Sequence, residues 1–185
     1  MKAYILSDGE FETERLKKLD ALVKRCLSKK GFEINEKRLE SGELGYCRGC
    51  FGCWVKTPGE CVIKDSMAEI NRGMMTSDVV VYLAPVVYGQ YSANMKSALD
   101  RWIPNILPLF ITKPNGDTMH PARYAENPQF VMIGYGDDLT EEDARLFKDI
   151  TMKHRDNGAV LIYEDDRKLE QVLLGAGLQK KGERL

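Results

Sequence analysis

The run Val79-Val80-Val81-Tyr82-Leu83 constrains this chain most. Consecutive apolar residues cannot alternate between a wet face and a dry face, so a strand made of them must be covered on both sides. Two-sided burial is the property of a parallel sheet held between layers of helix. The rest of the chain supplies those helices. Thr13 to Lys30 carries Leu16, Leu19, Leu22, Val23 and Leu27 at helical spacing, and Gly31 follows as a natural C′ residue. Ser66 and Glu69 read as a capping box that opens a helix ending near Thr76. Ser92 can cap a third helix whose apolar stripe is Met95, Ala98, Leu99, Trp102 and Ile103, with Pro104 and Pro108 ending it. Thr140 caps a helix from Thr140 to His154, and Arg167 to Leu174 forms the last one.

Between these helices lie short apolar runs. Lys2 to Leu6 reads as a first strand, Phe32 to Leu39 as an edge strand, Asp78 to Ala84 as the buried strand, then Phe130 to Ile133 and Ala159 to Tyr163. Regular alternation of strand and helix implies an α/β fold with right-handed crossovers. The unit count predicts a flavodoxin-like three-layer sandwich around a five-stranded parallel sheet of order 2-1-3-4-5. The expected organisation is one domain over residues 1–185, with a cysteine-rich insert loop at 40–63 and a loosely held polar tail at 175–185. In such sheets ligands bind at the carboxyl ends of the strands. The loops expected there are Ser7 to Thr13, Pro85 to Tyr91 and Gly134 to Asp138, with Gly134, Tyr135 and Gly136 opening the last.

Charge narrows the partners. The 27 Lys and Arg residues nearly balance the 28 Asp and Glu residues, for a net charge of −1. Phosphate-backbone binding needs a basic excess or face, so nucleic acid is not the expected partner. No apolar run approaches the roughly 20 residues of a membrane helix, and no secretory signal is visible, since Met1 to Leu6 already reads as a strand. A cytoplasmic location, with thiols kept reduced, is expected. The apolar run Trp102, Ile106, Leu107, Leu109 and Phe110 suits either core or a subunit interface.

Cys47, Cys50, Cys53 and Cys61 form the pattern C-x-x-C-x-x-C-x₇-C. Thiolates this crowded can share a cluster or metal, form disulfides, or remain a set of bare reduced thiols. Gly49 and Gly52 let the backbone turn tightly between the first three, and Thr57-Pro58-Gly59-Glu60 reads as a type II turn that returns Cys61 to them. The spacings are nearer to a ferredoxin-type run than to the paired C-x-x-C of zinc sites. Cys26 falls on the apolar side of the first helix and reads as core. No Ser–His–Asp set or carboxylate pair is apparent, and no catalytic residue is assigned.

The second informative stretch is Ala84-Pro85-Val86-Val87-Tyr88-Gly89-Gln90-Tyr91-Ser92-Ala93-Asn94-Met95-Lys96-Ser97-Ala98-Leu99-Asp100-Arg101. It resembles the S/T-P-V-Y-x-G-x-x-S-A-x-x-K-x-x-L-D-R signature of the flavodoxin-like NAD(P)H-dependent FMN reductase superfamily. The segment from Cys47 to Met67 resembles the cysteine motif of its iron–sulfur flavoprotein branch. The resemblance covers roughly residues 1 to 140. It implies a dimer or tetramer binding FMN, with the phosphate in the loop after the first strand at Ser7, Gly9 and Thr13. It places the ring against Pro85, Val86, Val87, Tyr88 and Gly89, flanked by Gly134, Tyr135 and Gly136. It implies Cys47, Cys50, Cys53 and Cys61 as ligands of a 4Fe–4S cluster exchanging electrons with FMN. The implied function is an FMN-dependent oxidoreductase or electron-transfer flavoprotein, its partner a reduced nicotinamide or a ferredoxin-like carrier.

One loop departs from that pattern. Where the superfamily carries N-G-S-P-R-x-x-G/S-N-S/T, this chain reads Ser7-Asp8-Gly9-Glu10-Phe11-Glu12-Thr13-Glu14. The usual Arg is missing, and Asp8, Glu10, Glu12 and Glu14 put negative charge beside a phosphate dianion. Solvent exposure and the positive end of a helix would soften that repulsion. The competing reading is a binding or redox- and metal-sensing module of the same fold that has lost FMN.

Overall fold

The computed structural model describes residues 1–154, 158–175 and 177–181. Strands β1 (Lys2–Asp8), β2 (Glu33–Leu39) and β3 (Val79–Val87) build one half of the sheet. Helices α1 (Glu14–Lys29), α2 (Gly52–Val55) and α3 (Met67–Thr76) lie between them in sequence. The second half follows with β4 (Gln90–Tyr91), α4 (Ala93–Asp100), β5 (Ile111–Thr112), β6 (Thr118–Met119), β7 (Gln129–Tyr135), α5 (Glu141–His154), β8 (Gly158–Ile162) and α6 (Asp166–Gly175). The long strands pair in the order β2-β1-β3-β7-β8, all parallel. That is the expected 2-1-3-4-5 topology, with β7 and β8 as its fourth and fifth strands. Three short strands were not anticipated: β4 pairs antiparallel with the end of β3, and β5 and β6 form a separate hairpin.

The apolar run behaves as its composition demands. Val79, Val80, Val81, Tyr82 and Leu83 are each at most 1% exposed. Val79, Val81 and Leu83 face the layer of α1 and α6, packing with Leu16, Leu19 and Leu173. Val80 and Tyr82 face the opposite layer with Met67, Ile70, Met95 and Phe147. Each such side chain taken from water contributes roughly 1.5–3 kcal/mol, which is why the central strand anchors both layers. Cys26 is buried within the first layer, as its helical position predicts.

The caps correct the sequence reading in one place. Thr13 Oγ1 accepts from the Leu16 N–H at 3.1 Å, Ser92 caps α4, and Thr140 Oγ1 accepts from the Asp143 N–H at 3.1 Å. Ser66 makes no cap hydrogen bond. Asp65 takes its role, accepting from the Met67 N–H at 3.1 Å. Gly31 adopts φ +78° after Lys30, the left-handed C′ geometry.

The tail is tighter than expected over its described part. Leu178 is 7% exposed within the α1–α6 layer, and the Lys181 N–H donates to Asp78 Oδ1 at 3.0 Å. Ala176 and residues 182–185 lie outside the described residues. The apolar run after α4 divides. Trp102 is buried edge-on against Phe130, while Leu109, Phe110 and Ile111 are exposed. Among the described residues no helix is long and apolar enough to cross a membrane.

Candidate cofactor site and cysteine centre

Parallel pairing brings the ends of β1, β3 and β7 side by side: Ser7 pairs with Leu83, and Ala84 with Gly134. The β1–α1 connection is compact, a turn of 3₁₀ helix over Gly9–Phe11 followed by the Thr13 cap. Gly9 permits a close approach there, since a Cβ at this position would lie 2.9 Å from the Leu39 carbonyl oxygen. Ser7 lies inside β1 and is 9% exposed.

The acidic side chains of this connection do not share one fate. Glu10, Glu12 and Glu14 are exposed, as expected of residues at a helix start. Asp8 is completely buried. Its carboxylate accepts from the Ser92 hydroxyl, from Asn94 Nδ2 at 2.9 Å and from the Glu10 N–H at 3.0 Å. Glu12 pairs with Arg38 at 2.8 Å, Glu14 with Lys17 at 2.8 Å, and Glu10 accepts from Asn94 Nδ2 at 3.0 Å. Every acid in the connection therefore has a partner, which blunts the field that the bare sequence suggests. Among the first N–H groups of α1, that of Leu16 is taken by Thr13 Oγ1, and those of Glu14 and Arg15 are among the ones a helix leaves unpaired. With the Thr13 hydroxyl they form a donor set that fits a phosphate.

The segment expected as a ring-binding loop is mostly strand. Pro85, Val86 and Val87 complete β3, and Val86 and Val87 pair with Tyr91 and Gln90 of β4. Only Tyr88 and Gly89 form the turn, with φ of +50° and +70°. Positive φ at both central residues is the signature of a type I′ hairpin. Tyr88 is 90% exposed at the tip, where an aromatic side chain holds a backbone region that favours glycine. Gly89 turns inward, and a Cβ there would meet Leu146 of α5 at 2.7 Å.

Gly134 and Tyr135 are likewise in β7 rather than in a loop. A Cβ on Gly134 would lie 2.8–2.9 Å from Phe147, Ile162 and Val86, so this glycine serves packing. Tyr135 is buried, and its hydroxyl donates to the Phe11 carbonyl at 3.2 Å beneath the β1–α1 connection. Burial, with Asp8 nearby, pushes its phenol well above the ordinary range. Gly136 alone of the three lies beyond the strand, in contact range of Leu139.

Cys47, Cys50, Cys53 and Cys61 line one small cavity of about 20 Å³ with Val62 and Ile103. Cys47 and Cys50 are exposed, Cys61 is half-buried and Cys53 is buried at the start of α2. That helix is a correction, because the whole insert was expected as loop. Phe51 precedes it at φ +54°, and with Tyr88 it is one of two non-glycine residues at positive φ among the described residues. Burial pushes the Cys53 thiol up, and the neighbouring Cys61, Cys47 and Cys50 push it further. The predicted turn is present: Gly59 has φ +90° and the Glu60 N–H donates to the Thr57 carbonyl at 2.8 Å. Among the described residues no three His, Cys, Asp or Glu side chains are placed to hold a metal ion. The donor set suits a thiolate-bound cluster, although a space near the size of one water requires the exposed loop to open around it.

Sequence reasoning missed the residue that ties this loop down. Arg101, at the C-terminus of α4, has a side chain with 0% exposure. Its guanidinium donates to both Asp65 carboxylate oxygens at 2.7 and 2.9 Å and to the Gly45 carbonyl at 2.7 Å. A longer bond of 3.4 Å reaches the Ile63 carbonyl. Burial would raise the Asp65 carboxyl, but the bonds from Arg101, Gly45 and Met67 outweigh it and hold the group below the usual carboxylate range. The available signal was an arginine directly beside the apolar Trp102 in a stretch otherwise read as core. A cavity of about 400 Å³ opens beside it, lined by Cys61, Asn71, Arg72, Asn105 and Tyr124.

The sequence model of the NADPH-dependent FMN reductase family matches residues 13–114, more than half of the chain. The chain belongs to the NADPH-dependent FMN reductase family. The chain is also similar to curated proteins named iron–sulfur flavoproteins. One from Archaeoglobus fulgidus is 41% identical over 88 residues, 48% of this chain and 39% of that protein. One from Methanosarcina thermophila is 29% identical over 101 residues, 55% of this chain and 52% of that protein. The matched region thus spans about half or less of each relative's length. Solved structures share the fold at low identity. The NAD(P)H:quinone oxidoreductase from Methanothermobacter marburgensis has a TM-score of 0.63 at 13% identity, covering 95% of this chain and 92% of that one. An azoreductase from Bacillus anthracis has a TM-score of 0.58 at 12% identity, covering 96% and 95%. The family match begins at Thr13, near the end of the Ser7–Glu14 stretch that departs from the superfamily pattern.

Proposed function

We propose that this member of the FMN reductase family is an FMN-dependent oxidoreductase or electron-transfer flavoprotein whose Cys47, Cys50, Cys53 and Cys61 carry a 4Fe–4S cluster. One observation carries the reading: four cysteines spread over fifteen residues are gathered around one cavity, on a sheet whose strand ends meet at a donor-bearing helix start. Bound FMN supplies the hydride and single-electron chemistry. The chain supplies position and field. The first N–H groups of α1 and the Thr13 hydroxyl hold the phosphate, with Ser7 and Gly9 shaping the pocket floor. The Val86–Gly89 hairpin borders the ring, with Tyr88 as the exposed aromatic able to cover it and Gly136 on the other flank. Gly134 and Tyr135 act from beneath by packing.

In this reading electrons arrive from a reduced nicotinamide or a ferredoxin-like carrier in the cytoplasm. The exposed Leu109, Phe110 and Ile111 meet a second subunit in a homodimer or homotetramer. The test is the ultraviolet–visible spectrum of protein purified without oxygen, before and after dithionite. Two flavin bands that bleach, with a broad shoulder that also bleaches, are expected. A colourless protein that takes up neither added FMN nor iron and sulfide would overturn the reading.

A further inference from the structure

The β1–α1 connection is satisfied in hydrogen bonds but not in charge. Glu12 and Glu14 are neutralised by Arg38 and Lys17. Asp8 and Glu10 are not. The fully buried Asp8 carboxylate takes only neutral donors: the Ser92 hydroxyl on Oδ2, and Asn94 Nδ2 and the Glu10 N–H on Oδ1. The same Asn94 Nδ2 donates to Glu10 Oε2 at 3.0 Å, so one amide holds two carboxylates together. Neutral donors satisfy the lone pairs and leave both charges in place. Arg15, the first cation after the connection, is engaged elsewhere. Its Nη2 donates to the Tyr163 carbonyl at 2.5 Å, and its guanidinium lies 5.0 Å from the centre of the Tyr163 ring. Two uncancelled negative charges therefore sit in the connection that meets the flavin tail, one of them inside the protein where water screens it least.

We infer that Asp8 and Glu10 are specificity determinants of the flavin site, and that the site takes riboflavin, whose tail ends in a neutral hydroxyl, as a ligand alongside FMN. The inference rests on the flavin reading above. A phosphate dianion gains from the Glu14 and Arg15 N–H groups and the Thr13 hydroxyl, and loses to the two carboxylates. A terminal hydroxyl gains on both counts, because it can accept from an N–H and donate to a carboxylate. The preference for FMN that phosphate contacts alone would create is thereby narrowed. Asp8 sets the larger share, since its charge is buried and fixed by three hydrogen bonds, whereas Glu10 is exposed.

The experiment measures the dissociation constants of FMN and riboflavin for the flavin-free full chain, by quenching of flavin fluorescence at fixed ionic strength. Asp8→Asn keeps the shape of the side chain and removes its charge. The Asn oxygen can stay with Asn94 and the Glu10 N–H, and the amide nitrogen, in the place of Oδ2, can donate to Ser92 Oγ. Riboflavin is expected to bind the parent, and Asp8→Asn to tighten FMN by about tenfold while leaving riboflavin within about twofold. Glu10→Gln, at an exposed position, should move the ratio of the two constants in the same direction by about threefold. If Asp8 serves structure alone, Asp8→Asn moves both flavins together, and an unchanged ratio in the folded variant overturns the inference. Riboflavin that fails to bind the parent at concentrations where FMN saturates it overturns it as well. If Asp8→Asn does not fold by circular dichroism, Glu10→Gln decides: a ratio shifted toward FMN supports the inference and an unchanged one overturns it. A parent chain that binds neither flavin would instead sink the flavin reading, and this inference with it.

Discussion

Replacing Thr13 by Ala separates the two tasks assigned to one hydroxyl. In the folded chain Thr13 Oγ1 accepts from the Leu16 N–H at 3.1 Å, which closes the first turn of the 16-residue helix α1. Removing such a cap costs about 1 kcal/mol, and the loss is present whether or not a ligand is bound. The hydroxyl proton is not used by that bond, so it remains free to donate to a phosphate oxygen. A hydrogen bond to a charged group contributes roughly 1.5–3 kcal/mol, which corresponds to a weakening of FMN binding by about tenfold to a hundredfold. Urea unfolding of the flavin-free chain reads the first term, and quenching of FMN fluorescence on titration reads the second. Thr13→Ser retains both groups and should sit near the parent in both assays. A Thr13→Ala chain that loses the cap energy yet binds FMN as the parent does would refute the phosphate assignment while leaving the fold argument intact.

Three further outcomes follow from the same geometry. A methyl group at Gly134 would lie 2.8–2.9 Å from Phe147, Ile162 and Val86, so Gly134→Ala should destabilise by about 1–3 kcal/mol through overpacking, read as a shift in the urea midpoint. Asp78 holds the N-terminal strand through the Lys2 N–H at 2.6 Å and the tail through the Lys181 N–H at 3.0 Å. Burial alone would raise its carboxyl, but those bonds and the N-terminal charge outweigh it and set the folded pKa below the ordinary 3.8. A depressed folded pKa gives stability that is present above 3.8 and lost as pH falls through the lower folded value, so Asp78→Asn should flatten the dependence of the urea midpoint on pH below about 4. Finally, brief iodoacetamide treatment of the metal-free native chain should label the exposed Cys47 and Cys50 first and spare the buried Cys26, read by peptide mass spectrometry. Labelling of Cys26 at the same rate would contradict its place in the core.

Much of the frame was legible in the residues alone, because it follows from local periodicity and from two-sided burial. The Val79–Leu83 run required a covered central strand, the stripe of α1 required a helix ending near Gly31, and the alternation of both required a parallel sheet. The turn at Thr57–Glu60 was readable from Pro and Gly order. Each of these depends on residues close together in sequence.

What only the tertiary structure decided depends on residues far apart. Strand β3 runs on through Pro85, Val86 and Val87 because Tyr135 of β7 pairs with Pro85, and Tyr91 and Gln90 of β4 pair with Val86 and Val87. Gly134 and Tyr135 became sheet because β3 and β8 flank them. Asp8 looked like surface acid until Ser92 and Asn94, more than eighty positions away, provided donors that make its burial affordable. The same holds for Arg101, whose partners at Gly45, Ile63 and Asp65 lie 36 to 56 residues before it. A buried charge is stable only where partners converge on it, and convergence over such separations is a property of the folded chain that no local pattern records.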